Sequence, residues 1–330
     1  MCWACIGKFF VVQCVGTFNN CFQERTIMHI PDMMLQGAIC PATAALASVG
    51  LAGTAYAAYK TKIKPAVPFF AGVTALIFAA QMANFPIQLG TSGHLLGAAL
   101  AVALLGSAFG IMAMSLVVIA QCLVFADGGI SVLGANLLNI ALLASLPAVV
   151  VREFFSATSF QKTAYFGAAF VGTLFAAAAC AVQLAIAGVI PIQSVLPAML
   201  SIHTFIGLAE AGLTVAALVA VSYAVSKVAP QRAWMVPLGI AAVVAVVIAP
   251  FAATTPDGLE SVAGALACTC AHGACVAHAS GSFLTAPFAD YAVSAVSSEA
   301  LSTALAGFIG VALLFAVAYG TGRMLVQKEH

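Results

Sequence analysis

Two histidines stand beside apolar segments of the chain, where an imidazole could bind a metal ion. His29 lies in MHIPD at 28–32, just before the first apolar run, and His94 closes GTSGH at 90–94, where the third run begins. Imidazole nitrogen is a common ligand of zinc, copper, iron and nickel ions. A single histidine at a membrane interface is more often a hydrogen-bonded helix end than a ligand. The two residues alone therefore leave both interpretations open.

Soft metal ligands are also concentrated towards the C-terminal end of the chain. Three cysteines and two histidines fall within eleven residues: Cys268, Cys270, His272, Cys275 and His278. Thiolate and imidazole bind transition metals, so this loop could gather metal ions near His29. On an oxidising exterior, two of the cysteines could instead form a disulfide. Both interpretations stay open.

The composition indicates that most of the chain lies in a membrane. Hydrophobic residues make up 63% of the 330 residues and charged residues only 6%, whereas about 25% of residues in soluble domains are charged. We expect the apolar runs to be helices, because every backbone polar group must be hydrogen-bonded within lipid. The fold class is therefore an all-α, polytopic bundle of membrane helices. The runs fall at about 41–59, 66–83, 94–126, 129–151, 164–189, 193–225, 233–252 and 302–322.

The apolar run 94–126 is too long for one upright membrane span. As a single helix it would measure about 50 Å, against a hydrocarbon core of about 30 Å. Basic residues in short loops mark the cytoplasmic side, and all the basic clusters fall on one side if this run crosses twice, with a break near Gly106 and Gly110. We therefore expect about nine transmembrane helices in the cell (inner) membrane. His29 and the loop 84–93 would lie on the outer face.

Several polar residues lie within or beside the predicted helices. His203 and Glu210 are seven residues apart in the seventh predicted helix, so they share one face. Ionisable groups inside a membrane usually face the interior of the bundle. The two residues could pair with each other, or they could support a metal-binding loop. The sequence favours neither interpretation. Asp127, Asn136 and Asn139 could cap or cross-link helices around that loop.

Four segments resemble the CbiM/NikM family, the substrate-binding membrane components of energy-coupling-factor cobalt and nickel transporters. They are MHIPD at 28–32, FPIQLGTSGHLLG at 85–97, FADGGISVLGANLLN at 125–139 and HTFIGLAEAGLT at 203–214. Met33 departs from the family, which usually has glycine after HIPD. The resemblance implies a metal-binding membrane domain over 28–228, preceded by an extension at 1–27.

The C-terminal part of the chain resembles the auxiliary domain of the same transporters, the CbiN/NikN type. The matching segments are PDGLE at 256–260 and PFADYAV at 287–293, followed by a closing apolar run. The resemblance implies that this domain is fused to the metal-binding domain and occupies 229–330. It would contribute two transmembrane helices and an outer loop at 254–300.

The resemblance implies a ligand set for the transported ion, Ni²⁺ or Co²⁺. The ion would be held by the amino group of Met28, the backbone nitrogen and imidazole of His29, and the imidazole of His94. Adjacent chelate rings and one more imidazole place four nitrogens in a plane, which suits Ni²⁺. No prosthetic group is expected. The residues that could support the ligands are Asp32, Ser92, Asp127, Asn136, His203 and Glu210.

The implied site needs a free amine at Met28, which a preceding residue would convert into an amide. We expect that residues 1–27 reflect a mistaken upstream start. A removed signal peptide is the alternative, but the apolar run 9–16 is short and no small-x-small cleavage pattern follows it.

The implied function is that of the substrate-specific subunit of an ATP-driven cobalt or nickel uptake transporter, not an enzyme. The chain has no GxxxxGK[ST] phosphate loop, so the expected partners are an ATP-binding-cassette ATPase, a helical transmembrane coupling subunit and membrane lipid. The net charge of +1 gives no basic surface for nucleic acid. Two alternatives are a membrane-embedded metalloenzyme and a thiol-redox protein. The sequence lacks the HExxH motif expected of a metalloprotease, and the CxxC motif expected of a thiol-redox protein occurs only at Cys2 and Cys5.

Overall fold

A computed structural model describes residues 29–87, 90–155, 160–270 and 285–326, with the backbone alone for 267–270. The described residues are almost entirely helical, which confirms the predicted fold class. A short antiparallel sheet, β1 (Phe85–Pro86) with β2 (Ser92–Gly93), is the exception. The ten helices are α1 (Ile39–Lys60), α2 (Val67–Gln81), α3 (Ala98–Leu105), α4 (Ser107–Phe125), α5 (Leu133–Phe155), α6 (Gln161–Ile186), α7 (Ile192–Ser226), α8 (Pro230–Phe251), α9 (Gly258–Cys270) and α10 (Glu299–Val326).

Seven helices in the described part of the chain are long and apolar enough to cross a membrane. They are α1, α4, α5, α6, α7, α8 and α10. The nine predicted segments are all helical, but α2 has 15 residues and α3 has 8, fewer than the roughly 20 that a full span needs. The chain is thus a multi-pass membrane protein, and two of its nine apolar segments are short.

The chain reverses direction at Gly106, between α3 and α4. Gly106 has a φ of 86°, a conformation that glycine adopts without strain. Beyond the turn, a Cβ atom at Gly110 would lie 2.6 Å from the Cα atom of Val102, so the two helices touch where Gly110 has no side chain. The run 94–126 therefore forms two antiparallel segments, as predicted. The first combines the non-helical residues 94–97 with the short α3.

Lys64 and Arg152 each join two parts of the helix bundle. The Lys64 ammonium donates a hydrogen bond of 2.7 Å to the carbonyl of Leu325, which joins the start of α2 to the end of α10. Arg152, near the end of α5, donates to the carbonyl of Ala103 at 3.2 Å, close to the reversal at Gly106.

Residues 254–300, predicted as an outer loop, contain the helix α9. Its first turn is closed by a capping box: Glu260 N–H donates to Asp257 Oδ1 at 2.7 Å, and Asp257 N–H donates to Glu260 Oε2 at 3.2 Å. Leu259 and Val262 are buried with Met199 of α7 in one apolar cluster. The Asp-x-x-Glu pattern before an apolar run is the sequence signal for this helix start, so the predicted outer loop contains helical structure.

Candidate metal site

The segment that follows His29 is held by the first turn of α5 and by the loop before it. The side-chain amide of Asn136 accepts from Ile30 N–H at 3.0 Å and donates to the Ile30 carbonyl at 3.1 Å. Asp32 accepts from the N–H of Ser131 at 2.9 Å and from its hydroxyl at 2.6 Å. Asn136 and Asp32 therefore fix the backbone on which His29 is carried.

The imidazole of His29 is buried and oriented by a carboxylate. Its Nδ1 lies 2.9 Å from Asp127 Oδ1, and the hydroxyl of Tyr291 donates to Asp127 Oδ2 at 2.6 Å. Burial opposes ionisation of Asp127, but the charge of His29 and hydrogen bonds from His29 and Tyr291 hold its pKa below the ordinary value. The other ring nitrogen, His29 Nε2, has no hydrogen-bond partner among the described residues.

His94 lies beside His29, on the strand side of the site. The two ring centroids are 6.2 Å apart and the planes are tilted by 38°. Because metal–nitrogen bonds are about 2 Å long, one ion between the rings could contact both. Burial, with the nearby charge of His29 as a second cause, lowers the pKa of His94 to about 4. Its ring is therefore neutral at physiological pH, with a lone pair available for a metal ion.

The loop after His94 is fixed by a carboxylate from the middle of α7. Glu210 accepts from the N–H groups of Leu96 at 2.7 Å and Gly97 at 2.9 Å, just before α3 begins. Gln81, at the end of α2, donates to the Leu96 carbonyl at 2.6 Å. These bonds satisfy backbone groups that the start of a helix leaves unpaired. They hold the residues next to His94 in place.

The segment before α9 forms another wall of the site. Ser92 donates from its N–H to the Pro256 carbonyl at 2.8 Å and from its hydroxyl to the Thr255 carbonyl at 2.6 Å. A Cβ atom at Gly258 would lie 2.8 Å from Cε1 of His203. The PDGLE segment is thus paired with the strand that precedes His94 and packed on the His203 ring.

These walls enclose a cavity of about 80 Å³, which has room for several water molecules. Its polar lining comes from both ends of the chain, and burial raises the pKa of Asp257 in this lining to about 6. The polar and sulfur-containing side chains on the cavity are His29, His94, Asn136, Asn139, Thr173, Cys180, Met199, His203 and Asp257.

The structure places the predicted site residues in three positions. His29, His94, Asn136 and His203 line the cavity. Asp127 contacts His29, and Glu210 binds the loop after His94. Asp32 and Ser92 form hydrogen bonds with neighbouring backbone groups. Among the described residues, no group of three His, Cys, Asp or Glu side chains is close enough to hold a metal ion. Outside the described residues lie Met28, His272, Cys275 and His278, together with the side chains of Cys268 and Cys270.

A pair between His203 and Glu210 is not what the structure shows. His203 Nδ1 lies 2.7 Å from the carbonyl of Met199 in its own helix, and Glu210 binds the loop before α3. Two site residues were missed from the sequence, Asp257 and Tyr291. The capping pattern could have indicated Asp257, whereas Tyr291 stood in PFADYAV without any local sign of its distant partner.

Two family models match the chain. The model described as the cobalt uptake substrate-specific transmembrane region, CbiM, matches residues 29–231, and the model of the PDGLE domain matches residues 231–327. A crystal structure of a truncated transition metal transporter is 29% identical, with a TM-score of 0.53 over 59% of this chain and 99% of that chain. A second crystal structure of a transition metal transporter is 28% identical, with a TM-score of 0.53 over 60% of this chain and 94% of that one.

Relatives with assigned names are transport proteins. A protein of Archaeoglobus fulgidus, assigned as the fused nickel transport protein NikMN, is 35% identical over 67% of this chain and 74% of its own length. The fused nickel transport protein NikMN of Rhodobacter capsulatus is 34% identical over 38% of this chain and 36% of its own. The cobalt transport protein CbiM of Lachnoclostridium phytofermentans is 28% identical over 54% of this chain and 73% of its own. The chain therefore belongs to the CbiM family and is a membrane component of cobalt or nickel transport, not an enzyme.

Proposed function

We propose that this chain captures Ni²⁺ or Co²⁺ at the outer face of the membrane, between His29 and His94, as the substrate-specific subunit of an ATP-driven uptake transporter. One observation carries the proposal. Two buried imidazoles face each other at 6.2 Å beside one small cavity, and Nε2 of His29 has no partner among the described residues. A buried polar atom without a partner costs free energy. A metal ion bound at Nε2 would remove that cost.

The proposed coordination draws two further nitrogens from the backbone, the amine of Met28 and the backbone nitrogen of His29. A chelate within His29 has to use Nδ1, because Nε2 lies on the far side of the ring from the residue's own backbone nitrogen. Nδ1 faces Asp127 in the structure. Chelation therefore requires His29 to leave Asp127, whereas a bond through Nε2 would keep that contact, as in carboxylate–histidine–metal sites.

Nitrogen donors explain why the cargo would be a transition metal. Magnesium and calcium prefer oxygen ligands, and imidazole suits nickel, cobalt and copper better. The names of the relatives support this choice, because they include both nickel and cobalt transport proteins. Ligand identity does not separate nickel from cobalt.

Two partner proteins are proposed for energy coupling, an ATP-binding-cassette ATPase and a helical transmembrane coupling subunit. The sequence has no phosphate loop of its own. The helix α1 offers a surface for a helical partner, because only 11% of the residues in its apolar window are buried. Its exposed residues Ala44, Ser48 and Ala52 form a ridge of small side chains, which allows another helix to approach closely.

The capture site is tested by titrating the purified protein with Ni²⁺. His29→Ala and His94→Ala should each weaken binding by more than about 100-fold, beyond the 10–100-fold typical when an outer partner of a ligand is removed. His203→Ala serves as the matched histidine control and should weaken binding less. Near-normal affinity in both ligand variants would overturn the proposed site.

The partner surface is tested by co-purification with the ATPase and the coupling subunit. Ser48→Phe should block assembly and leave Ni²⁺ binding unchanged, because α1 lies away from the cavity lining. Val49→Phe, one residue away on the same exposed helix, is the control and should assemble. Equal assembly by both variants would rule out this ridge as the docking surface.

A further inference from the structure

The cavity beside His29 and His94 is larger than one metal ion needs. Its volume is about 80 Å³, whereas one water molecule needs about 10–15 Å³ of such space. An ion held between the two rings would therefore leave room for water in the same cavity. A buried water molecule persists where it has about two to four polar partners. The question is which groups on the cavity wall could be those partners.

Three polar side chains on the cavity wall are already engaged elsewhere. The amide of Asn139 exchanges two hydrogen bonds with that of Gln183, at 2.7 and 2.8 Å. The amide of Asn136 binds two backbone groups of the segment after His29. The hydroxyl of Thr173 donates its proton to a carbonyl one turn earlier in α6, at 3.1 Å. Besides the two proposed ligands, a histidine of α7 and a carboxylate of the PDGLE segment remain.

The histidine of α7, His203, presents a hydrogen-bond acceptor. Its Nδ1 lies 2.7 Å from the carbonyl of Met199. A carbonyl oxygen can only accept, so the proton of this bond is on Nδ1. In the neutral ring the other nitrogen, Nε2, then has the lone pair. His203 lines the cavity, and Nε2 is therefore available to a donor there.

The carboxylate of the PDGLE segment, Asp257, stands on the same wall. A Cβ atom at Gly258 would lie 2.8 Å from Cε1 and 3.1 Å from Nε2 of His203, so this edge of the ring faces the residue next to Asp257. Asp257 is buried and lines the cavity. Its Oδ1 accepts from Glu260 N–H at 2.7 Å, which uses one of the roughly four acceptor positions of a carboxylate. The wall thus carries two acceptors side by side.

We infer that the captured ion keeps a water ligand in this cavity, and that His203 and Asp257 accept hydrogen bonds from that water. Bound cations draw electron density from a water ligand and make it a strong donor, which suits a wall of acceptors. The inference rests on the proposed capture of the ion by His29 and His94. The contact between His29 and Asp127 plays no part in it.

A retained water ligand would distinguish cobalt from nickel. Four nitrogens in a plane satisfy Ni²⁺, whereas Co²⁺ commonly takes further ligands outside such a plane. His203 and Asp257 should therefore contribute more to the affinity for Co²⁺ than to the affinity for Ni²⁺. The nitrogen ligands alone do not separate the two metals, but the wall of the cavity would.

The test compares Co²⁺ and Ni²⁺ affinities of the purified protein by titration. His203→Asn keeps a donor for the Met199 carbonyl but has no acceptor at the position of Nε2. The ratio of the Co²⁺ affinity to the Ni²⁺ affinity should fall about 10-fold, as for loss of an outer partner. Asp257→Asn, which still caps the helix start, should lower the ratio in the same direction. An unchanged ratio in both variants would overturn the inference.

Two further variants separate the lost acceptor from a general disturbance of the cavity. His203→Gln, whose longer amide reaches the position of Nε2, should restore most of the ratio. Thr173→Val is the matched control, because it removes a neutral hydroxyl from the same cavity wall, and it should leave the ratio unchanged. An equal fall of the ratio in Thr173→Val would contradict the assignment of the two acceptors.

Electron paramagnetic resonance of the Co²⁺-loaded protein detects the water ligand itself. In ¹⁷O-enriched water the Co²⁺ signal should broaden, and a signal without broadening would contradict the inference. The proposed function has a separate outcome. If His29→Ala and His94→Ala bind Ni²⁺ as well as the unaltered chain, the proposed function fails. If both lose binding while the Co²⁺ signal stays unbroadened, the inference alone fails.

Discussion

The carboxylate of Glu210, in the middle of α7, accepts a hydrogen bond of 2.7 Å from the backbone N–H of Leu96. Leu96 is two residues beyond His94, and the other carboxylate oxygen binds the next N–H, that of Gly97, at 2.9 Å. Glu210 is fully buried. A buried carboxyl group is tolerated when it is hydrogen-bonded, and here each of its two oxygens accepts a backbone N–H just before α3.

Replacing Glu210 by glutamine should disturb the metal site without removing a ligand. The glutamine oxygen can accept one N–H, but its NH₂ group would face the other N–H, so a buried donor loses its partner. The expected costs are about 1–3 kcal/mol of stability and about 10-fold in Ni²⁺ affinity, less than for His94→Ala. Thermal unfolding and Ni²⁺ titration measure the two effects. Glu153→Gln, at an exposed carboxylate, is the control, and an equal effect there would contradict this role for Glu210.

Gly258→Ala should destabilise the contact between the PDGLE segment and α7. The new methyl group would lie 2.8 Å from both His203 Cε1 and Ile206 Cδ1, and overpacking of this kind costs about 1–3 kcal/mol. The unfolding temperature should fall accordingly. Gly239→Ala on α8 meets no atom within 4 Å and should leave stability unchanged or raise it. Equal unfolding temperatures of the two variants would show that the close contact at Gly258 does not affect stability.

Local patterns were sufficient to predict the membrane helices and one important turn. Apolar runs identified the membrane segments, and the charge distribution required a reversal near Gly106, which the structure has. Length alone could not show that α3 would have only 8 residues, because residues 94–97 are apolar enough for a helix. They are not helical in the structure, where Glu210 and Gln81 bind backbone groups of Leu96.

The site residues show where sequence reasoning ends. The sequence predicted that His29 and His94 lie near each other, because both were expected on the outer face. The partners of Glu210 are backbone amides more than 100 positions away, and backbone groups leave no mark in a sequence. Tyr291 reaches Asp127 across 164 positions. Neither spacing nor periodicity indicates contacts of that kind.

The cysteine-rich loop should be dispensable for capture of the ion. Four nitrogens complete the proposed coordination, so none of its side chains is needed. Replacing Cys268, Cys270 and Cys275 together by serine should leave Ni²⁺ affinity within about twofold of normal. A collapse of affinity would mean that thiolates belong to the site. A loss seen only in uptake at scarce metal would indicate that the loop gathers ions.

The proposed amine ligand requires Met28 to be the first residue of the working protein. An amide nitrogen lacks an available lone pair unless it is deprotonated, so a chain that continues through residues 1–27 should bind Ni²⁺ weakly. Mass spectrometry of the native protein should find an unmodified Met28 at its N-terminus. Full binding and uptake by a form that retains residues 1–27 would exclude the amine.

The central claim is that the ion is held by nitrogen, with His29 and His94 among the ligands. X-ray absorption spectroscopy of the Ni²⁺-loaded protein tests it most directly, because it reports which elements surround the metal. About four nitrogen neighbours at about 2 Å are expected, including imidazole scattering that decreases by one ring in His94→Ala. A shell made mainly of oxygen or sulfur, or one unchanged by His94→Ala, would contradict it.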